Sequence, residues 1–245
     1  GNNNVALGRS ALQSNTTASN NTAVGYHAAY SNTTGAANTA LGMQALYTNN
    51  TGANNVSVGV NSLYSNTTGG SNTALGRNAL TSNTTASENT AVGYAASFYN
   101  TTGTENTSVG YKALEDNTTG NYNVAVGRLA LGNCTTGNSS TAVGRLAGYS
   151  TTTGGANVFV GQSAGLNTTS SNNTFLGVNS GDLVTSGSKN TILGRYNGNQ
   201  GGLDIRTSSN NIVISDGDGN PRITVDNDGD VFIGGSYNNN VRGGN

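Results

Sequence analysis

A glycine preceded by Val or Leu recurs along almost the whole chain, at Gly8, Gly25, Gly42, Gly59, Gly76, Gly93, Gly110, Gly127, Gly144, Gly161, Gly177 and Gly194; ten of the eleven intervals are 17 residues and one is 16. A period this strict marks a stacked architecture, in which each unit is too small to bury its own apolar face and leans on its neighbours. The rest of the composition, rich in Asn, Thr, Ser and 37 glycines with only 9% charged residues, would otherwise read as low-complexity disorder, but disorder has no reason to keep register.

Each unit reads approximately Asn-Thr-Ala-Val-Gly-x-x-Ala-Leu-x-x-Asn-Thr-Thr-Gly-x-x, as in Asn38 to Gly42, Ala45-Leu46 and Asn49 to Gly52. Two short apolar pieces alternate with two polar turns. Seventeen residues are too few for a helical hairpin, and no i, i+3, i+4, i+7 apolar pattern is sustained, so both pieces are expected as short strands. Strand alternation then sends the Val or Leu before the glycine to one face and the Ala or Ser before that to the other. The large residue is expected to fill the coil, and the small one to face a neighbouring subunit or solvent.

An Asn lies four before the glycine, at Asn21, Asn38, Asn55, Asn72 and Asn89 among others, with Ser140 as the exception; a second Asn column runs seven after it from Asn15 to Asn117, then passes to Cys134, Thr151 and Thr168. Stacked at about 4.8 Å, identical Asn and Thr side chains are expected to form hydrogen-bonded ladders. The same Asn-Thr-Thr triplets match the N-glycosylation acceptor pattern, which the ladder explains first.

The organisation is therefore read as all-β: a β-solenoid shaft of about twelve 17-residue coils over residues 1–198, then a C-terminal cap or transition segment over 199–245. In the latter, Asn211 to Ser215, Arg222 to Val225 and Val231 to Ile233, separated by Asp/Gly-rich turns, predict a β-meander that covers the last coil.

The phrase Asn-Thr-Ala-Val-Gly, at Asn21 to Gly25 and Asn89 to Gly93, resembles the Ser-Val-Ala-Ile-Gly motif of the head repeats of YadA-like trimeric autotransporter adhesins. The longer unit resembles repeat regions of bacteriophage tail fibres, and Leu203 to Gly235 is similar to segments that precede a cleavable chaperone in such fibres. The resemblance covers nearly the whole chain and implies a left-handed parallel β-roll, a homotrimer, an extracellular or virion location and a bacterial surface glycan or protein as receptor.

Other function classes find little support in the residues. Formal net charge is −1, so no basic field exists for nucleic acid. No apolar run approaches the roughly 18 residues that cross a bilayer. The start, Gly1-Asn2-Asn3-Asn4, carries neither a signal peptide nor an initiator Met and reads as a fragment or processed product. Only Glu88, Glu105, Glu115, Asp116 and Asp182 are acidic before Asp204, none in a recurring pair, which disfavours a glycan hydrolase and any enzyme. One histidine, His27, and one cysteine, Cys134, leave no metal cluster of those types, and no cofactor is implied. The runs Asp216-x-Asp218-x-Asn220 and Asp226-x-Asp228-x-Asp230 have calcium-loop spacing but carry Asn227 and Tyr237 where the loop needs Glu, so they are read as turns.

Two binding surfaces are legible. Tyr30, Tyr47 and Tyr64, five after their anchors, should stack into a stripe; it is a candidate glycan contact, with aromatic packing as the plainer reading. Thr ranks such as Thr16-Thr17, Thr33-Thr34, Thr67-Thr68 and Thr84-Thr85 would suit ice or a crystalline polysaccharide if the solenoid were monomeric.

Overall fold

The structure is a computed structural model that describes residues 1–234. The last residues of the expected C-terminal segment, 235–245 with Tyr237 among them, lie outside the described residues. The chain is a parallel β-solenoid of about twelve turns. Twelve three-residue strands recur at the repeat: β1 (Val5–Leu7), β2 (Thr22–Val24), β3 (Thr39–Leu41), β4 (Val56–Val58), β5 (Thr73–Leu75), β6 (Thr90–Val92), β7 (Thr107–Val109), β8 (Val124–Val126), β9 (Thr141–Val143), β10 (Val158–Val160), β11 (Thr174–Leu176) and β12 (Thr191–Leu193). Two compact units make up the molecule, Gly1–Asn123 and Val124–Asn245.

In the first unit β1 to β7 pair in parallel, each position over its equivalent, as Ala23 over Ala40 and Ala74 over Ala91. The anchor glycine follows each strand for a steric reason. At Gly76, φ is +139° and a Cβ would stand 2.4 Å from the Gly93 carbonyl oxygen of the next coil, so the backbones stack too closely there for any side chain.

The second apolar piece is not a strand. After Gly25 the chain runs in a turn from Tyr26 to Ser31, with His27 and Ala29 at φ of 57° and 48°, and equivalent positive-φ residues occur in the other coils. The alternation points successive N–H groups along the stacking axis: His27 donates back to the Arg9 carbonyl at 3.0 Å, Ala29 forward to Ala45 at 2.9 Å and Ser31 forward to Tyr47 at 3.0 Å. Coil-to-coil hydrogen bonding thus continues where no strand exists. Leucines at the second of these positions, Leu46, Leu63 and Leu80, have φ between 47° and 55° yet are fully buried. A left-handed leucine costs roughly 1–2 kcal/mol, and burying its side chain returns about the same or more.

The assignment of faces is the reverse of the sequence expectation. The inward residue of each strand is the small one, Ala23, Ala40, Ser57, Ala74 and Ala91 being fully buried, while Leu41 and Leu75 just before the glycine are each 47% exposed. A coil of 17 residues leaves an interior only wide enough for one large side chain per layer, and the turn leucine takes that place. Where serine replaces alanine inside, it finds a serine partner: Ser57 with Ser62 at 2.6 Å and Ser97 with Ser108 at 2.9 Å.

The second unit begins with the same filling, Ala125 inward and Leu131 buried in the turn, but its later coils are filled the other way. Phe159 and Phe175 take the inward strand position and are fully buried, and the turn position becomes Gly148, Gly165 and Gly181. A Cβ on Gly165 would lie 2.4 Å from Phe159 Cε1, and one on Gly181 2.5 Å from Phe175 Cδ2. Volume is exchanged between two positions that are close in space.

Both asparagine ladders form. In the outer one, Asn21 Oδ1 accepts the backbone N–H of Asn38 at 2.8 Å, and Asn38, Asn55, Asn72 and Asn89 repeat the bond. In the inner one, Asn66 Nδ2 donates to Asn49 Oδ1 at 2.7 Å and to the Gly69 carbonyl at 2.9 Å. In the second unit Cys134, at the equivalent position of its repeat and fully buried, donates to the Gly137 carbonyl at 3.7 Å, and Thr151 bonds Thr168 across coils at 2.9 Å.

Beyond β12 a small hairpin, β13 (Asn199–Gln200) and β14 (Leu203–Asp204), is inserted into the coil, with Tyr196 buried beneath it and its hydroxyl donating to the Leu203 carbonyl at 2.9 Å. The chain then returns to register. Strand β15 (Ile212–Ser215) pairs in parallel with β12, and Asn211 takes up the outer ladder on Asn190. Antiparallel β16 (Pro221–Val225) and β17 (Val231–Ile233) complete the expected meander, so β15 is both a coil strand and the first strand of the cap.

Candidate functional site: the outward face of the coils

Because the small residues point in, each strand presents its first and third residues outward. In the first unit these include Val5, Leu7, Leu41, Val56 and Leu75, between 39% and 67% exposed; in the second, Val143, Val158, Leu176, Leu193 and Ile212, between 37% and 47%. Among the described residues nothing covers either row. In the first unit the exposed ones stand on β1 and on β3 to β5, and in the second on the neighbouring strands β9 to β12 and Ile212–Ser215; such contiguous exposure suits contact with another surface, whereas scattered single exposures are ordinary.

The structure brings Tyr30, Tyr47 and Tyr64 together as a ladder. Ring centroids are 5.2 Å apart between the first pair and 5.0 Å between the second, with interplanar angles of 14° and 7°. His27 closes one side, stacked on Tyr26 at 3.8 Å and tilted against Tyr30 at 4.8 Å. A sugar ring binds an aromatic ring through an open face, and Tyr47 has both faces occupied by its neighbours. The middle ring of the stripe therefore offers only its edge. A similar stack, Arg77 over Tyr94 and Tyr94 against Tyr111 at 5.4 Å, uses the column next to the anchors.

The acidic residues do not converge. Glu115 pairs with Lys112 at 2.9 Å and so holds the lysine above its usual range. Burial raises Asp116 and Asp182 above ordinary carboxyl values. In the cap, Asp216 Oδ1 accepts the N–H groups of Asp218 and Asn220 at 3.0 and 2.9 Å, and Asp226 repeats this with Asp228 and Asp230. These are Asx turns. The Asn220 N–H, together with the Arg222 guanidinium, holds the Asp216 carboxyl down at about 2. No group of three His, Cys, Asp or Glu side chains placed to hold a metal is found among the described residues. A cleft of about 300 Å³ beside the inserted hairpin is lined by Asn167, Leu183, Thr185, Asp204, Arg206 and Thr207, and its two charges are spent on each other, Arg206 Nε to Asp204 Oδ1 at 3.0 Å.

In the inner ladder the acceptor asparagines are closed off by the fold: Asn66 and its equivalents Asn49, Asn83 and Asn100 are fully or almost fully buried, with their amide nitrogens already donating to the ladder. Among the described residues no helix is long and apolar enough to cross a membrane.

What fold and surface define is a parallel β-solenoid with exposed valines and leucines on the outward side of its strands in each unit. Comparison of the chain with protein-family models, with curated proteins and with solved structures finds no match to any of them.

Proposed function

We propose that this chain is a structural segment of an extracellular or virion fibre of the phage tail-fibre type, assembled as a homotrimer and supporting attachment to a bacterial surface glycan or protein. The observation that supports it most is the outward row of Val, Leu and Ile on the strands of each unit, solvent-exposed in the single chain. Three copies related by a rotation axis along the stacking direction would bury the three rows against one another and need no large core within each chain. Stacked coils held by ladders of side-chain and backbone hydrogen bonds give a stiff element, which is what a fibre requires.

The test is solution mass by light scattering on the full chain and on Leu41→Asp/Leu75→Asp. Each exposed leucine contributes about 1 kcal/mol on burial of its remaining surface, and a buried unpaired carboxylate costs more. The expected result is a trimer for the native chain and a monomer with unchanged circular dichroism for the variant. A native chain that runs at 24.6 kDa would overturn the assembly.

A further inference from the structure

A second exposed feature takes part in the fold through its backbone, whose N–H groups bond the next coil at Thr17, Thr34, Thr51, Thr68 and Thr102, but not through its side chains. In the first unit the residue nine after each anchor, Thr17, Thr34, Thr51 and so on to Thr119, is threonine in all seven coils and exposed in all seven. The residue before it is also threonine in six of the seven, but for an internal reason: Thr16, Thr33, Thr67, Thr84 and Thr101 donate their hydroxyls to the next coil's carbonyl at 2.9–3.1 Å. The outer rank makes no such bond among the described residues, so its hydroxyls are free.

Seven stacked copies of one repeat act as seven trials of the same position. The column five before the anchors is equally exposed, and it has drifted through Asn20, Ala37, Ser71, Glu88 and Tyr122. The column one after them holds Arg9, Tyr26, Met43 and Val60. An exposed position that stays threonine while exposed neighbours drift, with no bond inside the chain to require it, is held by a contact outside the chain.

We propose that this outer threonine rank, flanked by the bonded inner rank, is a binding surface for the ordered water of an ice crystal face. Each coil offers one hydroxyl to hydrogen-bond a water and one methyl to order water around it, repeated at the coil spacing of about 4.8 Å. Individually weak contacts made by a rigid array at a fixed period add as one multivalent contact to a lattice, and little to a disordered solvent. The rank itself carries no charge and no aromatic ring, features by which proteins hold single sugars. It lies in a bend outside the strands whose first and third residues form the outward face.

The experiment measures thermal hysteresis and ice-recrystallisation inhibition by the full chain, at a mass fixed by light scattering, and retention on crystalline cellulose and chitin. The variants are Thr51→Lys/Thr68→Lys/Thr85→Lys in the rank and Asn54→Lys/Ser71→Lys in the drifting column. Ice activity in the native chain, reduced at least tenfold by the rank variant and unchanged by the control, with the same melting temperature for all three, is the expected result. Absence of ice activity in the native chain overturns the proposal, as does activity that survives the three lysines. Retention on cellulose or chitin without ice activity overturns it too and assigns the rank to a polysaccharide. Monomeric mass refutes the fibre assembly and leaves this result standing.

Discussion

Phe159 and Gly165 give the sharpest test of how a coil of this size is filled. Replacing Phe159 by Ala removes the largest inward side chain of its layer, and because glycines stand at 148 and 165, no neighbour can take up the space. Large-to-small changes of this kind cost about 3–5 kcal/mol. Gly165→Leu alone should be at least as harmful, since its Cβ would stand 2.4 Å from the Phe159 ring at a φ of +62°. Combined, the two changes recreate the Ala-plus-Leu layer of the first unit, where Leu46, Leu63 and Leu80 are buried at the same positive φ. The double variant should therefore recover about 2 kcal/mol or more relative to Phe159→Ala, a coupling expected only of residues in direct contact. Cys134 is a built-in reporter, fully buried two coils away. Neighbouring coils stabilise one another, so its labelling by a thiol reagent under native conditions should accelerate more than about a hundredfold in Phe159→Ala, at about 1.4 kcal/mol per tenfold, and return most of the way in the double variant. A double variant that labels as fast as the worse single variant would refute the volume exchange.

Two further outcomes follow from the ladders and the buried thiol. Asn66→Ala deprives Asn49 Oδ1 and the Gly69 carbonyl of a donor and Asn83 Nδ2 of one of its two acceptors; a loss of about 2–4 kcal/mol is expected in chemical denaturation, whereas Thr51→Ala on the exposed rank should stay within about 0.5 kcal/mol. Burial pushes the Cys134 thiol from 9.0 up to about 11. Below pH 9 the thiol is protonated in both states and has no effect. Between about 9 and 11 only the unfolded chain releases the proton, so stability falls as pH rises, by on the order of 3 kcal/mol in total. Comparing melting of the native chain with Cys134→Ala from pH 8 to 11 isolates this contribution, and parallel curves would show that the thiol does not titrate with unfolding.

Much of this architecture was legible in one dimension. The glycine period gave the stacked coils and their number, the Asn columns gave the ladders, and the alternating segments after Asn211 gave the β-meander. The tyrosine stripe was legible too, but that its rings consume one another's faces was not. Alternation along a three-residue strand says that Ala and Leu point opposite ways; it cannot say which way is in. That depends on the width of the closed coil, set by a turn whose leucines adopt positive φ, a conformation that leucine's own preferences argue against. Sequence patterning thus determined that these residues stack and in what register. Only the tertiary structure decided which face is buried, because inside and outside exist only once the coil has closed, and it is that decision which leaves the large apolar residues facing outward.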